Sequence, residues 1–176
     1  MSRLGVLPLI SVCLLGCASK PRMWTVSHPE MAGRGLQTER GGKKAPEEYF
    51  HAADKAMLRN HLDEAQRALQ EAHGLLTEND PRWVNYYERM GLLSYLQDQI
   101  PKAKALYLDA IHFASVLGVQ GHAVADSYLG MGLCLAAEDK PREAEGYLRK
   151  ALETGPAPGT TRRVEKELRR LREGKP

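Results

Sequence analysis

Ser127-Tyr128-Leu129-Gly130-Met131-Gly132-Leu133-Cys134-Leu135, followed after a polar turn by Ala144, Leu148 and Ala151, is the stretch that decides the architecture. Its large residues recur at intervals of three and four, the spacing that places side chains on one face of a helix. The same spacing runs from Pro46 onward, with Pro and Gly confined to places that suit helix ends, so the chain beyond that point is all-α. Helices are expected over 46–60, 62–77, 81–97, 100–117, 121–138, 141–154 and 161–173. Several ends carry a physical signal. Glu47 and Glu48 after Pro46 suit the positive end of a first turn. Asp80-Pro81 and Lys140-Pro141 put Pro where its missing N–H costs nothing. Gly155-Pro156 stops one helix, and Thr160 or Thr161 is expected to cap the next through its hydroxyl.

Superposing Ala65, Ala103 and Ala144 brings three helix pairs into register, each with a small, a large and a small residue: Ala65, Leu69, Ala72; Ala103, Tyr107, Ala110; Ala144, Leu148, Ala151. This resembles the tetratricopeptide repeat, whose second helix carries that order so that neighbouring helices approach closely. Tyr128, Met131, Gly132 and Leu135 match the family's pattern for a first helix, and Pro156 falls where its repeats commonly end. Tyr87, Met90 and Gly91 match in the second unit, with Ser94 in the fourth place. The first unit, with Tyr49, Ala52, Ala53 and Ala56, is the most degenerate. The resemblance covers residues 46–156 and implies an α-solenoid of about three helix-turn-helix repeats. An unrelated array of helical hairpins is the alternative. The aligned alanines lie 38 and then 41 residues apart, against a family period of about 34, and longer second helices are expected to absorb the excess. Residues 157–176 complete the domain as a C-terminal capping helix, with Val164, Leu168 and Leu171 forming an apolar stripe over the end of the third pair.

The chain begins with a single basic residue, Arg3, an apolar run from Leu4 to Leu15, and Leu14-Leu15-Gly16-Cys17. A charged start, about 12 apolar residues and a small residue before the cut describe a secretory signal peptide over 1–16, too short to remain as a spanning helix. Leu14 to Cys17 resembles the bacterial lipoprotein motif. That resemblance implies diacylglycerol on the Cys17 thiol, cleavage before it and an acyl group on the new amine. Ala18, standing where an Asp favours inner-membrane retention, implies export to the outer membrane with the domain facing the periplasm. From Cys17 to Ala45 the composition turns to Gly, Pro, Lys, Arg, Ser and Thr without a period, which reads as a flexible tether reaching about 30 Å. Trp24 in that tether is either a headgroup contact or without a role.

The formal net charge of +3 falls to +2 once Arg3 is removed, and acidic and basic residues interleave, so no field favours nucleic acid. Arg162, Arg163, Lys166, Arg169, Arg170 and Arg172 make one face of the last helix basic. It reads as a solvated face, with anionic headgroups or an acidic partner as the alternative. After removal of Cys13 and acylation of Cys17, Cys134 is the one free thiol and no internal disulfide is possible.

The residues that carry chemistry elsewhere form no catalytic pattern here. His51, His61, His73, His112 and His122 are spread over separate helices without ligands at metal spacing. Gly41-Gly42-Lys43-Lys44 lacks the first glycine and hydroxyl residue of a phosphate loop. Cys134, between Leu133 and Leu135, reads as a small buried residue without a base beside it, and Asp98, Asp109, Asp126 and Asp139 read as turn and surface carboxylates. No enzyme, metal or cofactor is expected beyond the lipid on Cys17.

The repeat resemblance implies instead a concave surface lined by first helices, on which a peptide lies. Its contact positions correspond to Glu47, Phe50, Asp54, Met57 and Leu58 in the first unit; Asn85, Glu88, Leu92, Tyr95 and Leu96 in the second; and Asp126, Leu129, Leu133, Ala136 and Ala137 in the third. Family members that clamp a terminal carboxylate use Lys, Arg and Asn there. Leu, Tyr and Phe in this chain point to an apolar segment, unless those residues pack inward. The expected function is a lipid-anchored adaptor or assembly factor for a protein partner in the cell envelope. It bears a weaker resemblance to the pilotins that help type IV pilus secretins assemble in the outer membrane. A self-associating structural lipoprotein, a homo-oligomer without a dedicated client, is the alternative.

Overall fold

A computed structural model describes residues 44–174, and the expected signal peptide 1–16, the acylated Cys17 and the tether up to residue 43 lie outside the described residues. Seven helices and no strand occur among those described: α1 Pro46–Leu58, α2 Leu62–His73, α3 Trp83–Leu96, α4 Ile100–Leu117, α5 His122–Ala137, α6 Pro141–Glu153 and α7 Pro158–Arg172. None is long and apolar enough to cross a membrane.

Three hairpins, α1–α2, α3–α4 and α5–α6, are closed by the same turn. Asn60, Asp98 and Asp139 adopt left-handed backbone angles, φ 59°, 60° and 57°, which short polar side chains tolerate better than others. The next N–H in each turn, from His61, Gln99 and Lys140, donates over 2.9 Å to the carbonyl five residues earlier, on Ala56, Ser94 and Leu135. That bond satisfies a carbonyl that the helix end leaves open. The three turns share the 38- and 41-residue spacing of the aligned alanines.

The first helices form one layer, in which α1 touches α3, α3 touches α5 and α5 touches α7, whereas α2, α4 and α6 touch no other second helix. Every one of the nine aligned small and large positions, Ala65 to Ala151, is buried. In the second and third hairpins the large residue of the second helix lies against a glycine of the first. A methyl at Gly91 would come within 2.7 Å of the Tyr107 ring, and one at Gly132 within 2.7 Å of Leu148. α7 packs on both α5 and α6, with Val164 and Leu168 buried against Leu129, Leu148 and Ala151.

Three expectations are corrected. α2 ends at His73, not residue 77, so the first excess is housed in the connection 74–82, and only α4, at 18 residues against 12 in α2, is lengthened. α3 begins at Trp83 rather than at Pro81, because the buried Asp80 builds a turn of its own. Its Oδ1 accepts the Arg82 N–H at 2.9 Å and Nε–H at 2.8 Å, its Oδ2 accepts Nη2–H at 2.6 Å, and Trp83 Nε1–H donates to the Thr77 carbonyl at 2.7 Å. α7 begins at Pro158 with Ala157 as its cap residue and no side-chain cap. The Thr160 hydroxyl is directed instead to Asp126 on α5.

Candidate functional site: a groove along the first helices

A groove of about 390 Å³ runs across the first-helix layer, lined from α1 to α7 by Asp54, Glu88, Arg89, Leu92, Asp126, Leu129, Leu133, Thr160 and Arg163, with Tyr107 and Gly130 at its floor. Glu88 and Leu92 are one helical turn apart and therefore share a face of α3; Asp126, Leu129 and Leu133 do the same on α5. Tyr107 belongs to a second helix, yet it reaches the floor because the helices above it lack side chains at the crossing. A methyl at Gly130 would stand 2.2 Å from Tyr107 Cζ, and Gly91 leaves room on the α3 side. Tyr107 is only 2% exposed. Burial, and then the carboxyl of Glu88, raises its hydroxyl well above the usual range.

Charge is organised around Arg89. Its Nη2–H donates to Asp54 Oδ2 on α1 at 2.9 Å, and Nη1–H to Glu88 Oε2 at 3.3 Å and to the Asn85 carbonyl at 3.3 Å. The guanidinium lies 5.1 Å from the Phe50 ring centroid, a cation–π contact, and its enclosed Nε–H has no partner among the described residues. Only 12% of the Glu88 side chain is exposed. Burial pushes its carboxyl up to about 8; Arg89 opposes the shift, Asp126 and Asp54 add to it, and Arg163 opposes it. Glu88 is therefore mainly protonated at neutral pH. Across the groove, Asp126 Oδ1 accepts the Thr160 hydroxyl at 2.6 Å. This bond fastens the first turn of α7 to α5 and explains why Thr160 does not cap its own helix.

Of the residues assigned to the concave face, Asp54, Glu88, Leu92, Asp126, Leu129 and Leu133 come together in this groove. Phe50 and Met57 are buried in the core of the first hairpin and do not line the groove, which corrects that part of the assignment; Leu129 touches the groove but is itself packed in the core against Val164 and Leu168. Asn85 is half-buried and Tyr95 packs against the core cluster that contains Met131, Cys134 and Leu135, outside the groove's lining, while Leu96, 44% exposed, sits at the end of α3. Arg89, Tyr107, Thr160 and Arg163 were not assigned. Tyr107 left one trace in the sequence: it replaces Leu in the aligned series, and Gly130 has no glycine counterpart in the other units.

No protein-family model matches the chain, and no curated protein matches it significantly.

Outside the groove, Cys134 is buried in α5, which pushes its thiol up to about 11. No three His, Cys, Asp or Glu side chains among the described residues gather as a metal set. His73, Trp83, Tyr86, Tyr87 and Phe113 form an aromatic cluster where α2, α3 and α4 meet.

Proposed function

We propose that this chain is a tetratricopeptide-type lipoprotein of the bacterial envelope, anchored in the outer membrane through acylated Cys17 and facing the periplasm. Its groove holds a segment of a protein partner, so that it acts as an adaptor or assembly factor without catalytic activity, with a pilotin-like role toward a secretin as one instance. The observation that carries this reading is the convergence of Asp54, Glu88, Leu92, Asp126, Leu129 and Leu133, from three first helices, on one groove. The repeat reading is supported by the three identical hairpin turns and by first helices that touch along one layer while second helices do not. Helices spaced closely on one side and widely on the other give a curved stack whose inner face is the binding face in repeat proteins.

Crosslinking and co-purification from intact cells, comparing the wild type with a Leu92→Glu/Leu133→Glu variant of matched helicity, tests the proposal. An envelope protein recovered with the wild type and lost with the variant supports it. Recovery of the chain alone favours the self-associating alternative, for which Leu58, 90% exposed at the end of α1, and the exposed Leu96 offer apolar contacts.

A further inference from the structure

We infer that α7 is a membrane-surface helix, whose flank carrying Arg162, Lys166 and Arg169 rests on the anionic headgroups of a phospholipid bilayer. This rests on the anchored-lipoprotein reading for what brings the helix to a bilayer, and on the charge of the helix for the contact itself. Charge is segregated along the chain. Residues 44–157 carry twelve Lys and Arg against seventeen Asp and Glu, a net of −5, whereas residues 158–174 carry six against three, a net of +3. The sequence from 17 to 43, with five basic residues against two acidic, is positive as well. An anionic surface therefore repels the body of the domain and attracts its last helix, which orients the molecule.

Packing turns that charge outward. Val164 and Leu168 bury the inner face of α7, and Arg162, Lys166 and Arg169, spaced four and three residues apart on the other side, are exposed. None of these three has an ion-pair partner among the described residues, whereas Arg170 is held by Glu167 at 2.7 Å. From Arg162 to Glu173 every exposed residue is charged, five basic against Glu165 and Glu173. A stable protein interface has an apolar centre from which charges are depleted, and this face offers none. A headgroup layer requires only opposite charge and no matching shape. Four of the five basic residues are Arg, whose planar fork pairs with phosphate through two hydrogen bonds. Successive residues stand about 100° apart on a helix, so Arg163 turns to the groove, which it lines with Thr160, while Arg162 turns away. With the basic flank on headgroups, the groove opens beside the bilayer and not under it. A tether reaching about 30 Å exceeds the ~27 Å length of α4, the longest helix described, and so lets α7 reach the surface.

The test is co-sedimentation of the mature chain, residues 17–176 carrying Cys17→Ser so that no acyl group contributes, with vesicles of phosphatidylcholine alone or with phosphatidylglycerol added as about a third of the lipid. Binding to the anionic vesicles alone is expected at ~0.1 M salt, and its loss at ~1 M. Each Lys or Arg near an anionic surface is worth about fivefold in partition, so Arg162→Gln/Lys166→Gln/Arg169→Gln weakens binding roughly a hundredfold and Glu165→Gln strengthens it about fivefold. Arg67→Gln/Lys102→Gln/Arg142→Gln, which lowers the net charge equally at exposed sites on other helices, leaves binding unchanged because charges beyond the screening length do not feel the surface. Circular dichroism checks that each variant is folded. An equal loss in the two triple variants, binding to phosphatidylcholine alone, or no binding overturns the inference. So does self-association that the α7 substitutions abolish while no vesicle is bound, since that assigns the face to a second copy. Acylation of Cys17, read from the mass of the native protein, tests the anchor by itself, so the two readings fail independently.

Discussion

Replacing Gly130 by Ala adds one methyl group at the crossing of α4 and α5, where it would stand 2.2 Å from Tyr107 Cζ and 2.5 Å from both Cε atoms. Non-bonded carbons rest at about 3.5–4 Å, so the ring or the helix must move by more than 1 Å. On the α3 side the ring already fills the space that Gly91 leaves, lying 2.7 Å from where a methyl there would stand. Overpacking of this kind costs about 1–3 kcal/mol, and three sub-contact distances place this site at the upper end. The better helix propensity of Ala returns at most ~1 kcal/mol, leaving a net loss of about 2 kcal/mol. Urea denaturation followed by circular dichroism should show a lower midpoint at unchanged slope. Gly146→Ala is the matched control: nothing lies within 4 Å of the added methyl in α6, so propensity acts alone and stability rises by about 0.5–1 kcal/mol. Tyr107→Leu in the Gly130→Ala background should recover most of the loss relative to Tyr107→Leu alone, as a coupling of ~1–3 kcal/mol. A Gly130→Ala protein as stable as the wild type would refute the interlock between Tyr107 and the two glycines.

Glu88 should reverse the usual pH dependence of a carboxylate. Its folded-state carboxyl, near 8, lies above its ordinary value of 4.5, so the folded state holds a proton that the unfolded state has lost. Stability therefore declines as pH rises from about 4.5 to 8 and levels off above. Glu88→Gln, which keeps the protonated shape, should be nearly neutral at pH 5 and stabilising at pH 9 in denaturation midpoints; an equal effect at both would contradict the burial of this group. Asp80→Ala should destabilise by about 1–2 kcal/mol, since it removes a buried acceptor of three hydrogen bonds, with a change in Trp83 fluorescence because the connection 74–82 loosens. Arg82 holds the Asp80 carboxyl below its ordinary 3.8; this contribution is present above that value and is lost as pH falls through the lowered one. Cys134 should resist alkylation at pH 8 in the folded protein and react only as fast as the chain opens, as mass mapping of its peptide against denaturant would show.

The helices and their register could be read from the chain because both depend on local spacing: Ala65, Ala103 and Ala144 repeat within single helices, and each precedes its partners by a fixed number of residues. The start of α3 is not legible in the chain, since Asp80-Pro81 has the pattern of a helix start, whereas the Asp80 carboxylate closes a turn on Arg82. The excess between the first two units was equally invisible, because a count of residues does not say whether they extend a helix or a connection. Concave positions were transferred by alignment, which serves where the helix faces inward by the same angle. It fails at Phe50 and Met57, whose hairpin turns those positions into its own core. Tyr107 was beyond reach, as its place at the groove floor requires Gly91 and Gly130, on two other helices, to be opposite it.

Tyr107 also acts as a spacer. Its ring is wedged between α3 and α5, so those helices cannot separate without leaving a void of aromatic size, nor close further while Gly91 and Gly130 lie against it. On the other side, α1 meets α3 through the Asp54–Arg89 pair and through a core that Phe50 and Met57 share with Tyr86 and Leu93. The width of the groove is thus set by packing on both sides.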